Sequence, residues 1–100
     1  MAGRFAVVLT RTAYEHLEAQ RRYDRNAILD AIKADLSYTP DQATRNRKLL
    51  RENPLADWEL RVGRFRVFYE VDAGKRLVRV LAVGVKEGNR LIIAAKEVAL

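Results

Sequence analysis

The sequence predicts an α+β fold in which a small, mostly antiparallel β-sheet carries an N-terminal αα-hairpin packed on one face. Alternating apolar and polar residues after position 57 have the period of β-strands. Apolar residues three and four apart before Pro40 have the period of a helix. The predicted order is β-α-α-β-β-β with a short C-terminal strand, and 100 residues are expected to form one domain, residues 1–100.

The αα-hairpin is predicted in the first third of the chain. Residues 4–10 are interpreted as a strand bounded by polar residues. Thr12 and Glu15 have the spacing of a capping box, so the first helix is expected to begin there. Asp24 is the expected N-cap of the second helix, which Pro40 ends. The apolar stripe of the second helix comprises Ala27, Ile28, Ala31, Ile32 and Leu36.

The rest of the chain is predicted to supply most of the sheet. Residues 39–57 contain both prolines and a cluster of cations, so they are interpreted as a basic loop with room for one short helical turn. Strands are expected at roughly 58–63, 64–71 and 76–86, and the third has the nearly continuous apolar run of a strand covered on both faces. Residues 91–94 are predicted to form a last edge strand.

A tight turn at residues 63–64 sets the register of the predicted hairpin. Gly63 takes the first central position, where φ is positive, and Arg61 then lies opposite Arg66. One face of the hairpin is apolar and comprises Trp58, Leu60, Val62, Phe65, Val67, Tyr69 and Val71. The opposite, partly open face holds the two arginines side by side.

The charge balance points to an anionic partner. The chain has 19 Lys and Arg residues against 13 Asp and Glu residues, a net charge of +6. Such an excess attracts nucleic acid or an acidic protein, and a solubilising surface without a ligand is the alternative. The sequence has no cysteine, which excludes disulfides and thiolate metal sites. It shows no signal peptide or transmembrane stretch, so we expect a cytoplasmic protein without membrane contact.

The arginine pair is the leading candidate site. Two guanidinium groups directly across a ladder can clamp a phosphate, and Arg61 and Arg66 are therefore predicted to bind one. The alternative is a solvated ladder in which Glu59 and Glu70 neutralise them. Glu59 lies on the same face and is either a general base or an ion-pair partner.

Further candidates surround the pair. Lys86 and Arg90 are expected to add positive charge to the same end of the sheet. Phe68 either stacks on a base or lies beneath the C-terminal strand. The sole histidine, His16, is interpreted as a surface residue on the first helix, and no metal site or cofactor is expected. A basic run that either contacts a nucleic-acid backbone or is merely solvated comprises Arg45, Arg47, Lys48 and Arg51.

Two segments carry a family resemblance. They read W-E-L-R-V-G-R-F-R-V-F-Y-E-V (58–71) and V-L-A-V-G-V-K-E-G-N-R (80–90). Preceded by two helices and a basic loop, they resemble the RelE/ParE family of bacterial toxins from type II toxin-antitoxin systems. The resemblance covers most of the chain in element order. It implies the family fold and an acidic antitoxin that wraps the toxin, which is expected to be a monomer when free and a hetero-oligomer with its antitoxin.

The resemblance also implies an activity. RelE-like members are similar in cutting messenger RNA on the ribosome without a metal, through attack of the 2′-hydroxyl on the adjacent phosphate. Arg61, Arg66 and Lys86 match basic positions of that family. The sequence differs at Glu59 and at Asp57, which stand where the family's nucleases have lysines, and at Ile92, near their C-terminal tyrosine.

The expected function is therefore that of a ribosome-dependent mRNA endoribonuclease, with Lys48 and Arg51 gripping the RNA. Two alternatives stay open. The ParE branch of the family is implied to poison DNA gyrase without catalysis, and a degenerate member would only bind its antitoxin.

Overall fold

The computed structural model describes residues 3–100 and confirms the α+β fold. Two helices, α1 (Arg11–Glu18) and α2 (Arg22–Leu36), follow the first strand. No helix in the described part of the chain is long and apolar enough to cross a membrane. Within residues 3–100 the strands are β1 (Ala6–Leu9), β2 (Arg47–Leu49), β3 (Trp58–Val62), β4 (Phe65–Asp72), β5 (Leu77–Glu87), β6 (Arg90–Ile93) and β7 (Lys96–Val98).

The sheet has two different faces. Antiparallel pairing joins the strands in the order β2-β3-β4-β5-β6-β7, and β1 adds to β5 in parallel. One face, the helix face, carries α1, α2 and the main core. The other, the second face, carries a smaller core of Ala56, Phe68, Ala82, Leu91 and Ile93. The partly open face predicted from the sequence is therefore half covered.

The hairpin of β3 and β4 has the predicted register. Arg61 pairs with Arg66, and Trp58 at the far end of β3 pairs with Tyr69. Gly63 has φ of 57°, the left-handed conformation that favours glycine. The Tyr69 hydroxyl donates to the carbonyl of Pro40 at 2.7 Å, which fixes the loop after α2 against β4.

β5 is the central strand, as its continuous apolar run predicted. Its first half pairs with β1 and its second half with β6, while β4 lies along its other edge. A β-bulge shifts the register, so that Phe68 pairs with Ala82 but Tyr69 pairs with Val80. The extra residue, Leu81, packs against the second-face core.

α1 lies along the part of the β5 edge that pairs with neither β1 nor β6, and residues at both ends of the helix contact that edge. The Thr10 hydroxyl lies 3.3 Å from the Leu81 carbonyl, and His16 Nδ1 accepts a hydrogen bond from the Val83 amide at 3.1 Å. His16 is half-buried, so its interpretation as a surface residue was wrong. His16 accepts this amide because neither β1 nor β6 pairs with β5 at Val83, which is 67 residues away in sequence.

The His16 contact predicts a pH-dependent stability. Burial lowers the pKa of His16, and the nearby Glu15 opposes this effect only partly. The pKa of His16 is lower in the folded chain than in the unfolded one. The neutral imidazole therefore contributes to the free energy of unfolding above about pH 6.5, and this contribution is lost as the pH falls below that value. Urea unfolding at pH 7.5 and pH 5.5 should show this loss.

The matched control for this prediction is His16→Gln, whose side-chain oxygen can still accept the Val83 amide without titrating. Its free energy of unfolding should change less between the two pH values than that of the wild type. Equal changes in the two proteins would contradict the assignment, since the chain has only one histidine.

Both helices begin earlier than their predicted caps. The N-cap of α1 is Thr10, whose side chain accepts from the Ala13 amide, and the capping box at Thr12 was wrong. α2 begins at Arg22 after an N-cap at Arg21, so Asp24 lies in its first turn. Asp24 is nevertheless buried, and its carboxylate pairs with Arg21 at 3.2 Å and with Arg64 at 3.6 Å. It thereby joins the helical corner to the β3–β4 turn.

The basic loop contains a strand instead of a helical turn. β2 pairs with β3, which places Lys48 opposite Glu59. Arg47 turns away from the second face. Its guanidinium donates to the backbone carbonyls of Asp35 and Gln42 and to the Thr39 hydroxyl. This arginine therefore joins β2 to the end of α2 and the loop that follows.

The tail forms a two-stranded ribbon, β6–β7, so the predicted last strand is not an edge. Its turn consists of Ala94 and Ala95, both with positive φ. The ribbon passes so close to Gly84 that an added Cβ would lie 2.7 Å from Ile93 Cγ1. Glycine at this position lets β6 curl over the second face.

Candidate functional site

A cleft on the second face contains most of the predicted site residues. Its volume is about 860 Å³. Five cations and one carboxylate define what we call the cationic cleft, and these are Lys48, Arg51, Glu59, Arg61, Arg66 and Lys86. The β6–β7 ribbon closes one side of the cleft with Leu91 and Val98 and adds a second carboxylate, Glu97. The cleft therefore has an excess of positive charge facing an apolar wall.

Arg66 lies at the floor of the cleft. Only 13% of its side chain is exposed, and Nη1 donates to the carbonyls of Gly63 at 2.8 Å and Phe65 at 2.9 Å. Its Nε lies 3.9 Å from Glu59 Oε1. Arg66 is therefore held both by the turn and by a carboxylate, which leaves part of its guanidinium edge for a ligand.

Arg61 is the more available of the two arginines. It pairs with Arg66 in the ladder, where directly opposed residues have Cβ atoms about 5 Å apart. It is exposed, and within residues 3–100 no ion pair or hydrogen bond holds its guanidinium. A free guanidinium beside a fixed one can bind two oxygens of one phosphate.

Glu59 lies among the cations. Lys48 is its direct partner on β2, Arg66 contacts it diagonally, and Arg61 is two residues along on the same face. Its side chain is only 13% exposed. Glu70, the other carboxylate considered as a partner for the arginines, binds Arg79 at 3.0 Å instead. Of the two carboxylates that the sequence suggested as partners for the arginines, Glu59 therefore lines the cleft and Glu70 does not.

The cations at the two ends of the cleft come from loops and strand ends. Lys86 follows the segment of β5 beside the hairpin turn, where its amide donates to the Arg64 carbonyl at 2.7 Å. Arg51 follows β2 and is exposed. Together with Lys48 they place positive charge along the rim, which suits a polyanionic chain.

Three predicted cations lie elsewhere. Arg45 is exposed before β2 and does not line the cleft. Arg47 is committed to carbonyls around the end of α2, so its assignment to RNA binding is corrected. Arg90 pairs with Glu97 at 3.1 Å and does not itself line the cleft. Asp57 and Ile92, the other positions where the sequence differs from the nucleases, also lie outside the cleft lining.

Phe68 cannot stack on a base. Its relative exposure is 0%, because Leu91 and Ile93 of the ribbon belong to the same buried cluster. The assignment of Phe68 to RNA binding is therefore corrected, and the alternative beneath the C-terminal segment is confirmed. Phe68 instead supports the floor on which Glu59, its ladder partner, lies.

The sequence did not indicate the apolar lining of the cleft. This lining comprises the ribbon residues and others, namely Leu49, Leu50, Leu91, Val98, Ala99 and Leu100. The available signal was the alternation in the last ten residues, where Val98 and Leu100 are two apart. Asn53 also lines the cleft, and its side chain bonds the backbone of Arg51, Leu55 and Ala56, so it orders the loop.

Comparisons with known proteins identify the family and the fold. Residues 7–89 match the family described as the ParE toxin of type II toxin-antitoxin system, parDE. A chain in the crystal structure of the toxin-antitoxin complex RelBE2 from Mycobacterium tuberculosis is 26% identical with a TM-score of 0.72. That match covers 83% of this chain and 99% of the other.

A second structure shows the same fold. A chain in the archaeal RelE-RelB complex from Pyrococcus horikoshii OT3 has a TM-score of 0.67 at 18% identity, covering 85% of this chain and 97% of that one. No curated protein sequence matches the chain significantly.

Proposed function

Because the chain belongs to the RelE/ParE family of toxins from type II toxin-antitoxin systems, we propose that it is a ribosome-dependent endoribonuclease. It cuts messenger RNA in the cytoplasm without a metal and so inhibits translation, and an antitoxin neutralises it. The observation that supports this proposal is the cationic cleft, in which Arg61, Arg66 and Glu59 lie on the same face of the β3–β4 hairpin.

The chemistry needs a base, an acid and a cation near the phosphate. The 2′-oxygen attacks the adjacent phosphorus while its proton passes to the Glu59 carboxylate. Arg61 and the free edge of Arg66 stabilise the charge that develops on the phosphate oxygens. The bond to the 5′-oxygen breaks, that oxygen takes a proton from Lys86, and the products are a 2′,3′-cyclic phosphate and a 5′-hydroxyl. Lysine suits the acid role because arginine does not release its proton.

The Glu59 role has a direct test. Glu59→Gln keeps the shape of the side chain but cannot accept the proton, so messenger cleavage should fall by about 100-fold or more. The measurement is primer extension on a message translated by purified ribosomes. The matched control is Asp57→Asn, an exposed carboxylate two residues away that lies outside the cleft lining and should not alter cleavage. Equal activity of Glu59→Gln and wild type would exclude the base assignment.

The match of residues 7–89 to the ParE toxin family favours a second candidate, a non-catalytic poison of DNA gyrase. Induced expression separates the two. Cuts within translated messages, with intact DNA, support the nuclease. Gyrase-dependent DNA breaks with intact messages would overturn the nuclease proposal in favour of the gyrase poison. If both messages and DNA stay intact, the result would indicate a protein that only binds its antitoxin.

A further inference from the structure

The last strand, β7, is weakly attached to the sheet. Within residues 3–100 it pairs with β6 alone, and over only three residues. Its ion pair, between Arg90 and Glu97, is exposed on both sides and therefore adds little stability. Val98 and Leu100 pack against the second-face core but are only partly buried. We call β7 together with the two residues that follow it (96–100) the flap.

The turn that joins the flap to β6 is unfavourable for its own residues. Ala94 has φ of 52° and Ala95 has φ of 66°, so both are left-handed. A two-residue hairpin turn with positive φ at both positions favours asparagine followed by glycine. Alanine carries a Cβ that makes this conformation costly and has no polar group to offset the cost. Because the strain is released when the turn opens, the turn favours separation of the flap from β6.

The closed flap disfavours an anionic ligand. Glu97 lines the cationic cleft and adds a second carboxylate to that of Glu59, while Val98 and Leu100 occupy space on the apolar side. The phosphates of an RNA chain are attracted by the five cations of the cleft and repelled by Glu97. The cations lie on β2 to β5 and the loop after β2, so movement of the flap would remove the carboxylate and leave them in place.

We propose that the flap is autoinhibitory and moves away from β6 at the Ala94–Ala95 turn to admit single-stranded RNA to the cationic cleft. The ribose-phosphate chain then takes the space of Glu97 and Val98. β6 stays paired with β5, so Phe68 remains covered while the flap moves. The identity of the ligand as RNA rests on the proposed function, whereas the movement of the flap does not.

Amide hydrogen exchange in the free protein tests the movement. By the alternation of antiparallel ladders, the Val98 amide faces β6 and the Ile92 amide faces β5. The protection factor of Val98 should be about 100-fold or more below that of Ile92. The double variant Ala94→Asn with Ala95→Gly suits the turn, so it should raise the protection of Val98 by about tenfold and leave Ile92 unchanged. Equal protection of the two amides in the wild type would overturn the proposal.

Messenger cleavage tests the consequence of the movement. The double variant at residues 94 and 95 keeps every side chain of the cleft but holds the flap closed. Cleavage on purified ribosomes should therefore fall by about tenfold. A wild type that cleaves no message would refute the proposed function, and the protection factors would still decide whether the flap opens. If the wild type cleaves and the double variant cleaves at the same rate, the flap proposal alone would be overturned.

Binding of RNA tests the part played by the Glu97 carboxylate. Glu97→Gln should tighten the binding of a fluorescent single-stranded RNA of about ten nucleotides by about threefold or more, measured by fluorescence polarisation. The matched control is Asp30→Asn, which removes an exposed carboxylate on α2 outside the cleft. Equal changes in the two variants would reduce the effect to net charge and overturn the autoinhibitory role.

Discussion

Replacing Arg61 with alanine should lower messenger cleavage by about 100-fold or more and leave the fold intact. Removing one hydrogen-bond donor that stabilises developing negative charge lowers the rate of an enzyme by about 100- to 1,000-fold. The free energy of unfolding should change by less than about 0.5 kcal/mol, because the Arg61 side chain is exposed. Primer extension with purified ribosomes measures the first effect, and urea unfolding the second.

Arg66 is the informative comparison. Its guanidinium binds the carbonyls of Gly63 and Phe65 as well as facing Glu59, so Arg66→Ala should lower both cleavage and stability. The control is Arg45→Ala, which removes an exposed cation outside the cleft. It should change cleavage and stability only slightly, through the loss of one positive charge. Full cleavage by Arg61→Ala would reject the phosphate site.

Replacing Phe68 with alanine should lower the free energy of unfolding by about 3–5 kcal/mol, the usual cost of removing a buried phenylalanine. Phe68→Leu fills most of the same space and should cost less than about 1.5 kcal/mol. Thermal or urea unfolding measures both. The control is Leu49→Ala, an apolar residue with 59% exposure whose loss should affect stability little.

Phe68→Leu also tests whether Phe68 takes part in messenger cleavage. A residue that supports the floor of the cleft is replaceable by leucine, whereas a residue that stacks on a base is not. Phe68→Leu should therefore retain messenger cleavage at temperatures where it is folded. Loss of cleavage in a stable Phe68→Leu protein would restore the stacking role.

Local signals predicted the parts of the fold that depend on neighbouring residues. The β3–β4 register followed from alternation and from Gly63, because a two-residue turn leaves little freedom for pairing. The continuous apolar run of β5 correctly indicated a central strand. These signals also placed Arg61, Arg66 and Glu59 on one face, and in the structure all three line the cleft.

Long-range contacts decided the rest. β2 has only three residues, two of them cations, and pairing with β3 alone makes it a strand. The alternation of apolar and polar residues predicted the face on which Phe68 lies. It could not predict that the β6–β7 ribbon covers Phe68, because the ribbon begins more than twenty residues further along the chain. His16 was misassigned for the same reason, because its partner is the amide of Val83.

Glycine at position 84 makes the width of the cleft sensitive to a single methyl group. A Cβ added there would lie 2.7 Å from Ile93 Cγ1 and 2.8 Å from the backbone oxygen of Ile92. A backbone atom cannot rotate away as the end of a flexible side chain does, so alanine at this position would push the β6–β7 ribbon away from β5. Leu91 and Val98 would move with the ribbon, and the cleft would widen while its cations stayed in place.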